Sequence, residues 1–244
     1  TRFSLWSDAV SAVCAAAAPF FAVRLLQRGD VVRLFGRFVS PAVVRTIVNR
    51  PALARAGGRK RKITLLFSDI RDFTALSETM PPDRLVSFIN EYLDPMSEIV
   101  LNAGGTLDKF IGDAVMAFWG APLEQPDTAA RAVDAALRMK KKLNELNARW
   151  EKEGGAPIAV GIGIHTGEAV VGNVGSRRRL DYTAMGDAVN LASRVEGLTR
   201  LYGVTILVTE ATKAELGDRF ATRFIDRVRV KGRTKPVEVH EVIG

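Results

Sequence analysis

From Ile63 onward, segments with the pattern of strands and segments with the pattern of helices follow one another in an order that restricts the possible folds. Strands are predicted where short apolar runs are bounded by turn residues, and helices where apolar residues recur every three or four positions. The segment that begins near Pro82 shows the helical spacing most clearly, and Gly104 and Gly105 end it. The predicted elements are a strand at 63–69, a helix from about 82 to 103, strands at 106–111 and 114–119, a helix at 127–151, strands at 157–164 and 168–173, and a helix at 187–201.

This order of elements predicts an α+β fold. One helix between strands, then a hairpin, then a second helix and strand give the arrangement β-α-β-β-α-β, which is the ferredoxin-like pattern. We therefore expect a mostly antiparallel sheet with the helices of this core on one face. Residues 1–62 are expected to form a separate helical segment that ends in an exposed basic linker at 56–62, and residues 63–244 are expected to form the main domain.

The basic residues of the chain are concentrated before the main domain. Residues 24–62 hold eleven Lys and Arg residues and one acid, whereas the whole chain carries +8 and residues 63–244 carry −2. This distribution disfavours a nucleic-acid-binding groove and favours proximity to a membrane. The uncharged apolar run at 9–23 is shorter than the roughly 20 residues of a spanning helix. It is either the end of a membrane helix, with the arginines on the cytoplasmic side, or an Ala-rich helix packed against protein.

Cysteine usage fits a cytoplasmic location. Cys14 is the only cysteine, so the chain has no internal disulfide framework and no cysteine-based zinc site.

Two of the predicted strands end on or beside an aspartate. Asp69 closes the first strand, and Asp113 lies in the hairpin turn between the second and third. Hard cations such as Mg²⁺ are usually bound by one or two carboxylates together with substrate phosphates. The backbone N–H groups of the turn after Asp69 can also hold phosphate. The pair therefore suggests a metal-phosphate site, although either aspartate alone is most simply a turn residue.

A helix further along the chain carries a polar pair. Asn190 and Arg194 are four residues apart and therefore share a helix face. An amide suits a sugar oxygen and a guanidinium suits a phosphate. For this pair alone, a solvated helix surface is the simpler explanation.

Three motifs together resemble the catalytic domain of class III nucleotidyl cyclases. They are FSDIRDFT at 67–74, DKFIGDAVMA at 108–117 and GDAVNLASR at 186–194. The resemblance covers about residues 63–243 and is strongest to bacterial adenylyl cyclases, and the segment at 35–41 is similar to the connector that precedes such domains in membrane-associated members. It implies an enzyme that converts ATP to 3′,5′-cyclic AMP and pyrophosphate. A missing N-terminal sensor or a membrane tether on the inner face of the cell membrane is a further implication.

The resemblance also implies the metal and phosphate ligands. Two Mg²⁺ or Mn²⁺ ions would be held by Asp69, Ile70 and Asp113, with one ion activating the ribose 3′-hydroxyl and the other neutralising the triphosphate. Asn190 would orient the ribose, and Arg194 would stabilise charge that grows on the α-phosphate. The remaining substrate contacts implied by the family are Ile70, Phe73, Thr74, Arg178 and Lys231, of which Arg178 lies in a run of three arginines that leaves the register open by one.

The family's base-reading positions fall on Lys109 and Thr183. Adenine accepts at N1 and donates from N6, whereas guanine donates at both N1 and N2. A lysine donates to N1, and a threonine hydroxyl can accept from N6. Guanylyl cyclases typically place Glu and Cys at these positions, so the pair predicts adenine. Threonine is the weaker half of the argument, because a hydroxyl also donates.

In this family, the metal aspartates and the nucleotide ligands of one site come from two chains. Both sets are present here, so the resemblance implies a head-to-tail homodimer with two equivalent sites. Two alternatives remain open. One is a catalytically silent cyclase-like domain that serves regulation or dimerisation, and the other is guanylyl cyclase activity, which Lys109 disfavours.

Overall fold

The computed structural model describes residues 57–176, 178–230 and 235–244. Within these ranges the chain forms eight strands and five helices. The strands are β1 (Gly57–Ile70), β2 (Thr106–Ile111), β3 (Ala114–Trp119), β4 (Val160–Gly175), β5 (Leu180–Met185), β6 (Ile206–Thr209), β7 (Thr222–Val228) and β8 (Val237–Val242). The helices are α1 (Phe73–Thr79), α2 (Pro82–Asn102), α3 (Thr128–Lys152), α4 (Asp187–Tyr202) and α5 (Glu210–Leu216).

All eight strands belong to one sheet. Its order is β2-β3-β1-β4-β6-β8-β7, and β5 pairs with β4 beside this path. Every pairing is antiparallel except that of β4 with β6. The α+β class and the mostly antiparallel sheet are therefore confirmed.

Helices cover both faces of this sheet. Alternate residues of a strand point to opposite faces. Leu66 of β1 packs in one buried cluster with Tyr92 of α2 and Ala136 of α3. Its neighbour Leu65 packs in another cluster with Ala188 of α4. The helices of the β-α-β-β-α-β core thus share one face, as expected, and α4 lies on the other.

Two glycines of β4 allow α4 to rest directly on the strand backbone. A Cβ atom added to Gly163 would lie 2.1 Å from the backbone nitrogen of Glu196, and one added to Gly161 would lie 2.1 Å from Thr199 Oγ1. Real Cβ atoms do not approach other atoms this closely, so only glycine fits at position 163, where the neighbour is helix backbone. This close approach fixes the position of the helix that carries Asn190 and Arg194.

We expect Gly163→Ala to lower the free energy of unfolding by about 1–3 kcal/mol, because the new methyl group meets helix backbone that cannot rotate away. Urea unfolding monitored by circular dichroism measures this change. The matched control is Gly197→Ala on α4, where an added Cβ has no neighbour within 4 Å. That variant should gain about 0.4–1 kcal/mol. Equal destabilisation by the two substitutions would contradict the packing argument.

Some predicted boundaries are wrong. Residues 57–62, predicted as a linker, form the start of β1 and pair with the end of β4. Their side chains are mostly exposed, as expected, and one ion pair joins Lys60 to Glu168 across the two strands. The strands predicted at 157–164 and 168–173 are one continuous strand, because residues 165–167 keep their pairing with β1. Helix α1 and strand β5 were not predicted.

Several predictions fall outside the described residues. These are the helical segment at 1–56, including the apolar run at 9–23, and Lys231. Across the ranges that the structure does describe, each helix is too short or too polar to span a bilayer.

Candidate active site

Asp69 and Asp113 meet at one end of the central strands. β1 and β3 are antiparallel neighbours, with Ser68 opposite Val115, so the hairpin turn before β3 lies beside the end of β1. The backbone N–H of Ile70 donates a hydrogen bond to Asp113 Oδ2 at 3.0 Å. The structure therefore brings together the two carboxylates that the sequence predicted as a pair.

The electrostatics of this pair favour a bound cation. Burial, a hydrogen bond to Asp113 and the negative charge of Asp113 raise the pKa of Asp69 from 3.8 to about 7. A divalent cation between the carboxylates would remove this repulsion, and an all-oxygen donor set suits Mg²⁺ or Mn²⁺. Within the described ranges, the Asp, Glu, His and Cys residues form no metal-binding group of three or more. Substrate phosphates and backbone oxygens would have to complete the coordination, and the carbonyl of Ile70 remains a predicted ligand.

A third carboxylate, Glu196 of α4, lies in the same electrostatic environment. Burial and the charges of Asp69 and Asp113 raise the pKa of Glu196 to about 7, against the opposing effect of Arg71. Sequence reasoning missed this residue. The glycines at 161 and 163 indicate that a helix can approach β4 closely, but they do not indicate which helix.

The turn after Asp69 is tied to the C-terminal end of α4. The Arg71 guanidinium donates to the carbonyl oxygens of Thr199 at 3.2 Å and Val204 at 2.5 Å. Asp72, with φ of 58°, forms an ion pair with Arg200 at 2.5 Å. A cation at a helix C-terminus is favourable because the last carbonyls carry partial negative charge. Phosphate binding by this turn, including Phe73 and Thr74, stays a prediction.

Lys109 and Thr183 are brought together by a residue that sequence reasoning missed. Asp108 lies 3.4 Å from Lys109 Nζ through Oδ1, and its Oδ2 accepts a hydrogen bond of 2.6 Å from Thr183 Oγ1. The backbone N–H of Ala184 donates to the same Oδ2 at 3.3 Å. Burial raises the pKa of Asp108, and its contacts with Thr183, Lys109 and Ala184 oppose this. The feature of the sequence that could have indicated this role is an acidic residue directly before Lys109.

Three further predicted residues are wholly or partly exposed. Asn190 is exposed and Arg194 is half-buried on α4. Arg178 is exposed, and its backbone N–H donates to Ser176 Oγ at 3.3 Å. Among the described residues, hydrogen bonds and ion pairs thus assemble two groups of predicted site residues, Asp69 with Asp113 and Lys109 with Thr183 through Asp108.

The family described as the adenylate and guanylate cyclase catalytic domain matches residues 57–243. The chain belongs to this family. The match begins where β1 begins, before the boundary that the sequence predicted at residue 63.

Relatives in the cyclase family include enzymes for both nucleotides. The chain is 43% identical over 189 residues to an adenylate cyclase from Anabaena cylindrica, covering 75% of this chain and 37% of that protein. The chain therefore spans little more than a third of the length of this curated relative. Among solved structures, the chain is similar to the adenylyl cyclase CyaB from P. aeruginosa, with 38% identity, 78% of this chain and 97% of that chain covered, and a TM-score of 0.73. The guanylyl cyclase Cya2 gives the same identity, with 78% and 95% covered and a TM-score of 0.70.

One of these structures is an adenylyl cyclase and the other a guanylyl cyclase, and the chain is 38% identical to each. Overall similarity within the cyclase family therefore does not decide which base the substrate carries. The choice would rest on the side chains that face the base, and the family resemblance predicts Lys109 and Thr183 for this role.

Proposed function

We propose that this cyclase domain converts ATP to 3′,5′-cyclic AMP and pyrophosphate. The observation that carries the proposal is the cluster of Lys109, Asp108 and Thr183, in which a donor and a hydroxyl are held side by side. The family match and the relatives named as adenylate cyclases support it.

Lys109 is the stronger determinant of the base. An ammonium group only donates, so it complements the acceptor N1 of adenine and opposes the N1–H of guanine. Its side chain is 38% exposed and is therefore accessible to a nucleotide. Guanylyl cyclase activity is the second candidate, favoured by the likeness to solved guanylyl cyclases such as Cya2.

The reaction assigns a task to each remaining residue. Asp69, Asp113 and the backbone of Ile70 would hold two Mg²⁺ or Mn²⁺ ions, which when bound supply Lewis acidity at the ribose 3′-oxygen and at the triphosphate. Asn190 orients the ribose, and Arg194 stabilises negative charge on the α-phosphate. The triphosphate contacts are Phe73, Thr74, Arg178 and Lys231.

We further propose a head-to-tail homodimer in which each site takes its aspartates from one chain and its nucleotide ligands from the other. Two features support this. Asn190 and Arg194 make no hydrogen bond or ion pair with side chains in the described ranges, and they are accessible on α4. Phe110 and Ile111, beside Lys109 on the outermost strand, are 43% and 54% exposed. Large apolar side chains exposed together are typical of an interface.

For location, we propose that the domain works in the cytoplasm near the inner face of the membrane. The eleven basic residues at 24–62 support this, because such a flank is attracted to anionic lipid. A tether or an N-terminal sensor remains part of this proposal.

One assay tests the proposed activity. The purified chain is incubated with ATP or GTP and Mn²⁺, with chelator-treated samples as the control, and the cyclic products are separated by chromatography. We expect cyclic AMP, at least about tenfold less cyclic GMP because of the Lys109 donor, and neither product without metal. Predominant cyclic GMP would establish the second candidate. No cyclic product from a dimeric preparation would favour the catalytically silent domain.

A further inference from the structure

We propose that Asp108 is a positioning residue that fixes the Thr183 hydroxyl as a hydrogen-bond acceptor and so sets selectivity for adenine over 6-oxopurines. This inference rests on the proposed adenylyl cyclase function. It concerns Thr183, whose preference the sequence left ambiguous, because a free hydroxyl can either accept from adenine or donate to a 6-oxopurine.

A β-bulge brings Asp108 into position. Successive residues of a regular strand point to opposite faces, so Asp108 and Lys109 would ordinarily diverge. In the β2–β3 pairing, however, the register shifts between Leu107 and Lys109, which leaves Asp108 as the extra residue. Bulges of this kind redirect a side chain. Here the carboxylate reaches Thr183 on β5 while staying next to Lys109.

The hydrogen bonds around Asp108 Oδ2 determine the direction of the Thr183 proton. Oδ2 receives the backbone N–H of Ala184, a group that only donates, at 3.3 Å. The Thr183 hydroxyl approaches the same oxygen at 2.6 Å and donates to it. A longer contact of 3.5 Å, to the carbonyl oxygen of Ala184, is also to an acceptor. The hydroxyl proton is therefore used in the hydrogen bond to Asp108, and the lone pairs of the Thr183 oxygen remain to accept from an incoming base.

The second carboxylate oxygen links the same residue to Lys109. The Asp108 side chain has no exposed surface, and its Oδ1 has no hydrogen-bond partner in the described ranges. The ammonium of Lys109, at 3.4 Å, is its charged neighbour. A buried carboxylate requires such compensation. One residue thus holds a cationic donor and a neutral acceptor side by side, which is the complement of adenine N1 and N6.

Removing Asp108 should free the Thr183 hydroxyl to donate. Inosine triphosphate is a suitable probe, because its base differs from adenine only at the edge that these residues face: it carries N1–H and a 6-oxo group. A hydroxyl that already donates to Asp108 faces the 6-oxo group with a lone pair and is repelled by it. A free hydroxyl can instead donate a hydrogen bond to that group.

The test is a double-mutant cycle of Asp108→Ala and Thr183→Val, with kcat/KM measured for ATP and for inosine triphosphate. We expect Asp108→Ala to lower the ATP preference at least about tenfold, the value of one hydrogen bond. Thr183→Val should lower it similarly, and the double variant should lower it no further. Because both substrates are assayed in one preparation, the ratio does not depend on the folded fraction.

Asp108→Asn is the conservative variant: its amide oxygen can still accept from Thr183 and Ala184, whereas its amide nitrogen replaces the carboxylate oxygen beside Lys109. Its ATP preference should fall less than that of Asp108→Ala, because the Thr183 hydroxyl still donates to an acceptor. If Asp108→Ala does not fold, Asp108→Leu keeps the branched shape of the side chain and removes the acceptor.

Two results would overturn the proposal. One is an equal loss with both substrates in Asp108→Ala or Asp108→Leu, which indicates a purely structural residue. The other is a change in preference that persists in the Thr183→Val background. Wild-type protein that makes no cyclic AMP would instead refute the proposed function.

Discussion

Asp69→Asn should lower kcat for cyclic AMP formation by at least about a thousandfold, because several kcal/mol of metal-derived stabilisation is lost. The substitution keeps the size of the side chain but removes one of two negative charges at the proposed metal position. Initial rates with Mn²⁺ measure the effect. A second measurement is independent of turnover: Mn²⁺ should raise the melting temperature of the wild type and leave that of the variant nearly unchanged.

The matched control is Asp72→Asn, the same substitution in the same turn. Asp72 has a 65% exposed side chain and a surface ion pair with Arg200, and such pairs contribute little. Its backbone has φ of 58°, a conformation that asparagine tolerates. We expect its activity to remain within about threefold of the wild type, since only a surface ion pair is lost. Comparable losses in both variants would show that activity depends on the conformation of the turn rather than on the Asp69 carboxylate.

A mixed dimer of two inactive variants should recover activity. Asp69→Asn and Asn190→Ala, each with its own affinity tag, are co-expressed, and the mixed dimer is isolated by two successive tag purifications. In a head-to-tail dimer, one site then contains both defects and the other contains none. We expect about half of the wild-type activity, because one of two symmetric sites is complete.

The control pairs Asp69→Asn with Asp113→Asn. These residues lie in the same chain's half of a site, so no complete site forms in the mixed dimer, and it should stay inactive. An inactive dimer of Asp69→Asn with Asn190→Ala would contradict the shared site. Recovery in both mixed dimers would also contradict it.

Much of the framework could be predicted because local patterns determine it. The strands at 106–111 and 114–119 match β2 and β3, and the helical periodicity located α2 and α3 to within a residue or two. The Asp69–Asp113 pair could be predicted because both residues sit at strand ends that adjacent antiparallel strands bring together. The roles of Lys109 and Thr183 came from the family resemblance and remain to be tested.

What the sequence did not predict depends on partners distant in the chain. Residues 57–62 look like a linker because they are small and basic, yet β4 supplies their hydrogen bonds. Asp108 was missed because strand alternation places it away from Lys109, and the bulge that redirects it is defined by the pairing with β3. Glu196 was missed because its proximity to the aspartates arises from α4 packing on the glycines of β4.

The early start of β1 has a mechanical consequence. The strand runs without interruption over 14 residues from Gly57 to Ile70, a length of about 46 Å at roughly 3.3 Å per residue. A flexible linker absorbs movement, whereas a strand paired along its whole length with β4 transmits it. Movement of the chain before residue 57 would therefore act directly on the sheet through β1, the strand whose far end carries Asp69, a proposed metal ligand.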